Sequence, residues 1–174
     1  PDLIAGPEMT RLWYDFNPLT IVGVRDTSSK KLVGFLHTLP ITDELFKQIY
    51  SGSFDDTIIS VNEIKQYDMP GMYKLYISSL CVHPKYNNTH AFKLLYTSFI
   101  NLLLTLAEDN DVFITDVIAD GATAKGASLC ETIGMMKIVK SNHGTPVYHS
   151  PLLPPSLATI KLNNRQGQQK KKKS

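Results

Sequence analysis

Residues 73–95 read YKLYISSLCVHPKYNNTHAFKLL, and no other stretch constrains the fold as much. A β-rich run over residues 73–82 meets Pro84, crosses a short polar loop, and passes at once into an apolar stretch. Residues 89–107 then place Ala91, Leu94, Leu95, Phe99, Leu102, Leu103 and Leu106 at helical spacing. A strict period of two predicts two faces for the strand, with Leu75, Ile77, Ser79 and Cys81 on one and Tyr76, Ser78, Leu80 and Val82 on the other. A strand feeding directly into a long helix is a natural anion site. Unpaired N–H groups at the helix start face outward, and the helix dipole favours negative charge there. Phosphate-binding corners usually carry glycines, whereas this one carries Asn87, Asn88, Thr89 and His90. Asn is the non-glycine residue most willing to adopt positive φ, so the asparagine pair partly replaces that freedom. The Thr89 hydroxyl is suited to cap the helix or to meet a phosphate oxygen.

The flanking sequence completes a mixed α/β domain. Residues 8–16 predict a short helix closed by Asn17-Pro18. LTIVGVRD and LVGFLHTLP, around the polar TSSKK, predict an antiparallel hairpin. Thr42-Asp43-Glu44 reads as the start of a helix that ends near Ser51-Gly52, and TIISV, residues 57–61, reads as a flanking strand. VFITDVIA, residues 112–119, is a buried-type strand. Residues 122–133 read as a helix stopped by Gly134, and the stretches MMKIVKSN and TPVYHSPL form a second hairpin. The expected domain spans residues 1–156. Residues 157–174 form a basic, low-complexity tail with the composition of a disordered segment.

Charge is split between the two parts. Net charge is +2, but six basic and no acidic residues lie from Lys161 onward, so residues 1–160 carry 12 basic and 16 acidic side chains, a net of −4. That body argues against a broad nucleic-acid footprint, and the tail is left without a role. Cys81 and Cys130, the only cysteines, lack CxxC spacing and neighbouring His pairs, which makes neither a disulfide framework nor a zinc site. A reducing, cytoplasmic setting is expected. The apolar run over residues 99–107 is interrupted by Asn101 and Thr105 and is short for a bilayer span. Asp2 and Glu8 stand where a signal peptide would be basic.

LYISSLCVHPKY, the Leu94-Leu95 pair, VFITDVIA and then ATAKGASLCETIGM together resemble the GNAT superfamily of acyl-CoA-dependent N-acyltransferases over roughly residues 19–150. The resemblance implies a mixed central sheet with one splayed strand and flanking helices, with acetyl-CoA as cosubstrate. The splayed strand would pair with the pantetheine arm through Leu80, Cys81 and Val82. The loop amides of Asn87, Asn88, Thr89, His90 and Ala91 would hold the pyrophosphate. The family loop reads Arg/Gln-x-x-Gly-x-Gly/Ala. Counting back from Leu94-Leu95 sets Ala91 on its last position, Thr89 on the middle glycine and Tyr86 on the Arg/Gln, whereas counting forward from Val82 and Pro84 sets Asn87 there.

Similar resemblance sets Leu129-Cys130-Glu131-Thr132-Ile133-Gly134-Met135 on the family's Leu-Tyr-Glu-x-x-Gly-Phe, with Cys130 where a tyrosine often protonates the departing CoA thiolate. The plainer reading of Cys130 is a small buried apolar residue. Many relatives carry a glutamate base on the strand before the loop, but here that stretch is Tyr76-Ile77-Ser78-Ser79. Glu63, on the expected flanking strand, and Asp116, inside VFITDVIA, are the candidate bases, each with the plainer reading of an exposed or structurally paired carboxylate. Tyr76 is a candidate for orienting substrate or water, or else packs. His83 and His90 flank the loop as candidate phosphate contacts, while His143 reads as a turn residue.

Three functions are compatible with these residues. The first is an N-acetyltransferase moving an acetyl group from acetyl-CoA to a primary amine of unknown identity. The second is a catalytically silent GNAT-like domain that senses acyl-CoA or binds a protein. The third is a nucleic-acid-associated protein acting through its tail. The N-terminal stretch is short for the family, so the substrate side is either open or completed by another subunit, as in a homodimer.

Overall fold

Antiparallel pairing of two long β-runs and one parallel crossover organise the molecule. In the computed structural model, residues 6–54, 59–86 and 90–152 are described. Helix α1 (Pro7–Phe16) leads to the hairpin β1 (Ile21–Arg25) and β2 (Leu32–Ile41), then α2 (Asp43–Tyr50). Strand β3 (Gly71–Val82), α3 (Ala91–Asp109) and β4 (Val112–Asp120) form the crossover. Helix α4 (Ala124–Thr132) and the hairpin β5 (Met136–Lys140) and β6 (Pro146–Pro151) follow. The six strands form one sheet in the order β1-β2-β3-β4-β6-β5. β3 and β4 are its parallel pair, and all other neighbours are antiparallel.

Local chemistry sets the helix ends. Thr42 accepts a hydrogen bond from the Leu45 amide and Thr123 from the Gly126 amide, each capping the helix that follows. Gly134 takes φ +85° just past α4, where a side chain would be strained. The 19-residue α3 is long and apolar enough to cross a membrane by length and composition. Here its Leu95, Phe99, Ile100, Leu103 and Leu106 are buried, and α3 packs along β1, β2 and β4.

Each face of the sheet has its own core. Leu36, Leu75, Phe99, Leu103, Ile114, Val117, Cys130 and Tyr148 pack together on the α3 and α4 face. Trp13, Leu39, Ile41, Leu45, Ile49, Tyr76, Ile118 and Val147 pack on the α1 and α2 face.

Two expectations are overturned. The pairs His37–Ser79 and Thr38–Ile77 leave Ser78 as an extra residue, a β-bulge in β3. One extra residue flips every side chain beyond it. Leu80 therefore packs with Leu75 and Ile77 on the α3 face, and Ser79 and Cys81 move to the face of Tyr76. The flanking strand expected over 57–61 is also not formed as drawn. Residues 57–58 lie outside the described residues, Val61–Glu63 is a single 3-10 turn, and one isolated bridge joins Ile64 to Ile41. The tail lies outside the described residues as well.

Candidate functional site

The bulge sits where β3 and β4 part. Their parallel pairing runs from Gly71–Val112 to Ile77–Ala119 and stops there, while β3 continues to Val82 on β2 alone. This leaves a notch beside residues 78–82. The His83 amide donates to the Val33 carbonyl at 2.8 Å, which sets the ladder parity on this side of the bulge. Residues alternate along an antiparallel ladder between facing the partner and facing away. Leu80 and Val82 therefore turn their backbone N–H and C=O groups toward the notch, and Cys81 turns its own toward β2. Of the three strand residues singled out from sequence, two present backbone to the notch. Cys81 presents an exposed thiol on the other face.

At the end of the notch the chain makes a single turn over Pro84–Tyr86, passes residues 87–89 and enters α3. Asn87, Asn88 and Thr89 lie outside the described residues. His90 is the N-cap of α3, makes no side-chain cap, and is followed by no acidic residue in the first turn. Among the described residues, no acidic side chain in the first turn of α3 offsets the positive end of the helix. Ala91 is buried at the first helical position. Tyr86 is held at the rim, its phenol donating to Asp26 Oδ2 at 3.2 Å in the β1–β2 turn. Amide and side-chain hydrogen bonds from Ser29, with further bonds from Tyr86 and Ser28, hold the Asp26 carboxyl below its ordinary range. Desolvation and the Asp26 charge push the Tyr86 phenol up.

The proton-transfer candidates divide. Cys130 is buried in the α4-face core at 8% exposure, and burial, with smaller contributions from Asp120 and Glu131, pushes its thiol up to about 11. Proton transfer from such a thiol to a thiolate of ordinary pKa, about 8.5, is uphill. Tyr148, on β6 in the same core, donates to Glu131 Oε1 at 2.8 Å, and desolvation raises it to about 12. Glu63 is engaged in a capping box, accepting from the Ser60 amide at 2.8 Å. Asp116 accepts from Thr115 Oγ1 at 2.9 Å and meets His149 Nε2 at 2.8 Å, beneath the rings of Phe46 and Tyr50. Neither of these two carboxylates lies at the fork. His83 Nδ1 accepts from the Lys85 amide at 3.2 Å, which makes it part of the turn.

Tyr76 does lie at the fork, on the α2 face. It lines a cleft of about 220 Å³ with Ile49, Gly52, Phe54, Asp120, Ser141 and Val147. Asp120 Oδ2 accepts from Thr145 Oγ1 at 2.8 Å, and Thr145 Oγ1 lies 2.6 Å from Ser141 Oγ. Asp120 and Ser141 are absent from the set read from sequence. Their one signal is that the β-run starting at Val112 extends a residue past Ala119 and ends on a carboxylate.

Comparison with solved structures identifies the architecture. A mosquito arylalkylamine N-acetyltransferase-like 5b protein superposes with a TM-score of 0.51, at 15% identity over 84% of this chain and 82% of that one. The NatC complex bound to a Gag peptide and CoA gives 0.53 at 13% identity, over 84% and 79%. A bacterial toxin gives 0.50 at 14% identity, over 80% and 70%. The chain thus has the GNAT fold, that of acetyl-CoA-dependent acetyltransferases. No protein-family model matches the sequence, and no curated protein matches it.

Proposed function

We propose that this protein binds acetyl-CoA in the notch between β3 and β4 and transfers its acetyl group to a primary amine. The observation that carries the reading is the notch itself. β3 runs past the end of its pairing with β4, turns the backbone of Leu80 and Val82 outward, and leads to a helix whose first turn carries no acidic residue. Outward strand amides suit the amide-rich pantetheine arm, and the α3 N-terminus suits phosphate. The family's use of these elements, and the CoA held in the NatC structure, support the assignment. Acetyl-CoA would supply the activated acyl group, and the protein's part is to position the amine against it.

A second reading has an observation of its own. Cys130 is buried with a raised pKa where the resemblance expects a tyrosine acid, which favours a domain that binds acyl-CoA without turnover. Calorimetric titration of acetyl-CoA and CoA into the full chain, followed by an amine screen, separates the readings. Micromolar binding with acetyl transfer supports the enzyme, and binding without transfer to any amine supports the silent domain. No binding at millimolar ligand overturns both.

A further inference from the structure

Residues 86–91, which stand in place of a phosphate loop, hold no Lys or Arg, and the Arg/Gln position of the family loop falls on Tyr86 or Asn87. The missing cations stand on the neighbouring hairpin turn. We propose that the β1–β2 turn takes over this part, and that its Lys30 and Lys31 steer the polyanion acetyl-CoA into the notch. The choice of ligand rests on the acetyl-CoA reading above, and the steering rests on the placement of charge.

Placement follows from the ladder. Gly34 pairs with Val82 and the Val33 carbonyl accepts from the His83 amide, so the chain entering β2 lies beside the chain leaving β3. The turn is closed by the Asp26 amide on the Lys31 carbonyl and the Lys30 amide on the Asp26 carbonyl, both at 2.9 Å. Asp26 Oδ1 accepts from the Ser28 and Ser29 amides, and Oδ2 accepts from the Tyr86 phenol, which ties the turn to the loop. The backbone of Lys30 and Lys31 is thereby held within about 10 Å of His83, which is about one Debye length at 0.1 M salt.

Charge makes the placement matter. Arg25, Lys30, Lys31, Lys85 and Lys93 are exposed, and none of them makes an ion pair among the described residues. In residues 25–31 and 83–93 the one carboxylate is Asp26, which the turn's own amides and Tyr86 already engage. These cations stand in a body, residues 1–160, of net charge −4. Glu108, Asp109 and Asp111 lie at the far end of the 19-residue α3, about 27 Å from its start. The helix dipole runs in the same sense, positive at the loop and negative at that far end. Acetyl-CoA carries about four negative charges on its phosphates. The body as a whole repels such a ligand, and one end of it attracts. A field of this kind raises the rate of encounter more than it lengthens the stay.

The experiment follows acetyl-CoA association and dissociation by surface plasmon resonance on the full chain, tethered at its N-terminus, from about 20 to about 500 mM NaCl. Lys30→Glu/Lys31→Glu should lower the association rate about 10-fold at low salt, keep the dissociation rate within about twofold, and approach the wild type at high salt. Lys47→Glu/Lys137→Glu makes the same change in net charge at exposed positions on α2 and β5, and should lower the rate less than about twofold. If circular dichroism shows that the first variant has lost its fold, Lys30→Asn/Lys31→Gln replaces it. Asparagine suits the φ of +60° at position 30, and a loss of about threefold is expected. An unchanged association rate in the folded turn variant, or an equal loss in the α2–β5 variant, overturns the steering and leaves acetyl-CoA binding standing. A loss carried by faster dissociation would make the lysines contacts of the bound ligand, and overturns the steering too. No binding of acetyl-CoA to the wild type at millimolar ligand sinks the acetyl-CoA reading, and the steering with it.

Discussion

The rings of His37 and Trp13 lie 5.5 Å apart beneath α1, and the histidine, 1% exposed, has no hydrogen-bond partner for Nε2 among the described residues. Burial pushes His37 down to about 4. The unfolded chain, at 6.5, binds a proton that the folded protein refuses until about pH 4. This contribution is therefore fully present above pH 6.5 and is lost as pH falls toward 4. Its size is on the order of 3 kcal/mol. Urea denaturation of the wild type and His37→Phe at pH 7.5 and 4.5 should show their stability difference changing by about 2–3 kcal/mol in the variant's favour at the lower pH. A constant difference would mean that His37 is hydrated in solution.

The two cysteines should report the core directly. Cys81 is exposed and Cys130 is buried with a raised pKa. Iodoacetamide at pH 8 should modify Cys81 at least ~100-fold faster in the native protein, because the thiolate is the nucleophile. The contrast should vanish in urea. Equal native rates would place Cys130 at an open surface.

Stability and cofactor affinity should move in opposite directions at His90. Aspartate there would supply a side-chain cap that His90 does not make, adding about 1 kcal/mol. The same carboxylate would occupy the positive helix end that the proposed phosphate site uses. His90→Asp should raise the melting temperature by a few degrees and weaken acetyl-CoA binding at least ~10-fold. Tighter or unchanged binding would remove the α3 N-terminus from the cofactor site.

Gly52 holds the cleft wall by its lack of a side chain. Its φ is +76°, and a Cβ would run into the Lys140 carbonyl of β5. Gly52→Ala should cost about 3 kcal/mol, from left-handed strain and displacement of the β5 end. Thermal melting should fall by about 6–12 °C. A loss under a degree would mean that the α2–β5 approach is looser than drawn.

Much of the architecture was legible because local rules carry it. Thr42 and Thr123 cap the helices that follow them, Gly134 stops α4, and both hairpins follow from alternating runs around polar turns. The strand-loop-helix corner and its resemblance to the GNAT superfamily also came from contiguous residues, and the fold bears the resemblance out. Glu63 shows where this reasoning ends. On an expected strand it had a route to the site, but the turn at Val61–Glu63 engages it as a cap.

Residue order by itself determined the succession of elements, the strand that meets the loop, and the helix start beyond it. Tertiary pairing decided which atoms those elements present. The Ser78 bulge exists only in register with His37 and Thr38 of β2, and it reverses the faces that a period of two assigns to Ser79, Leu80 and Cys81. Asp120 stands at the fork because β3 and β4 stop pairing one residue earlier, and its cleft is gathered from α2, β3, β4, β6 and the residues after α2 and β5. Period and capping act over a turn or two of chain. Register, splay and cleft are set by contacts between segments tens of residues apart, which local sequence does not encode.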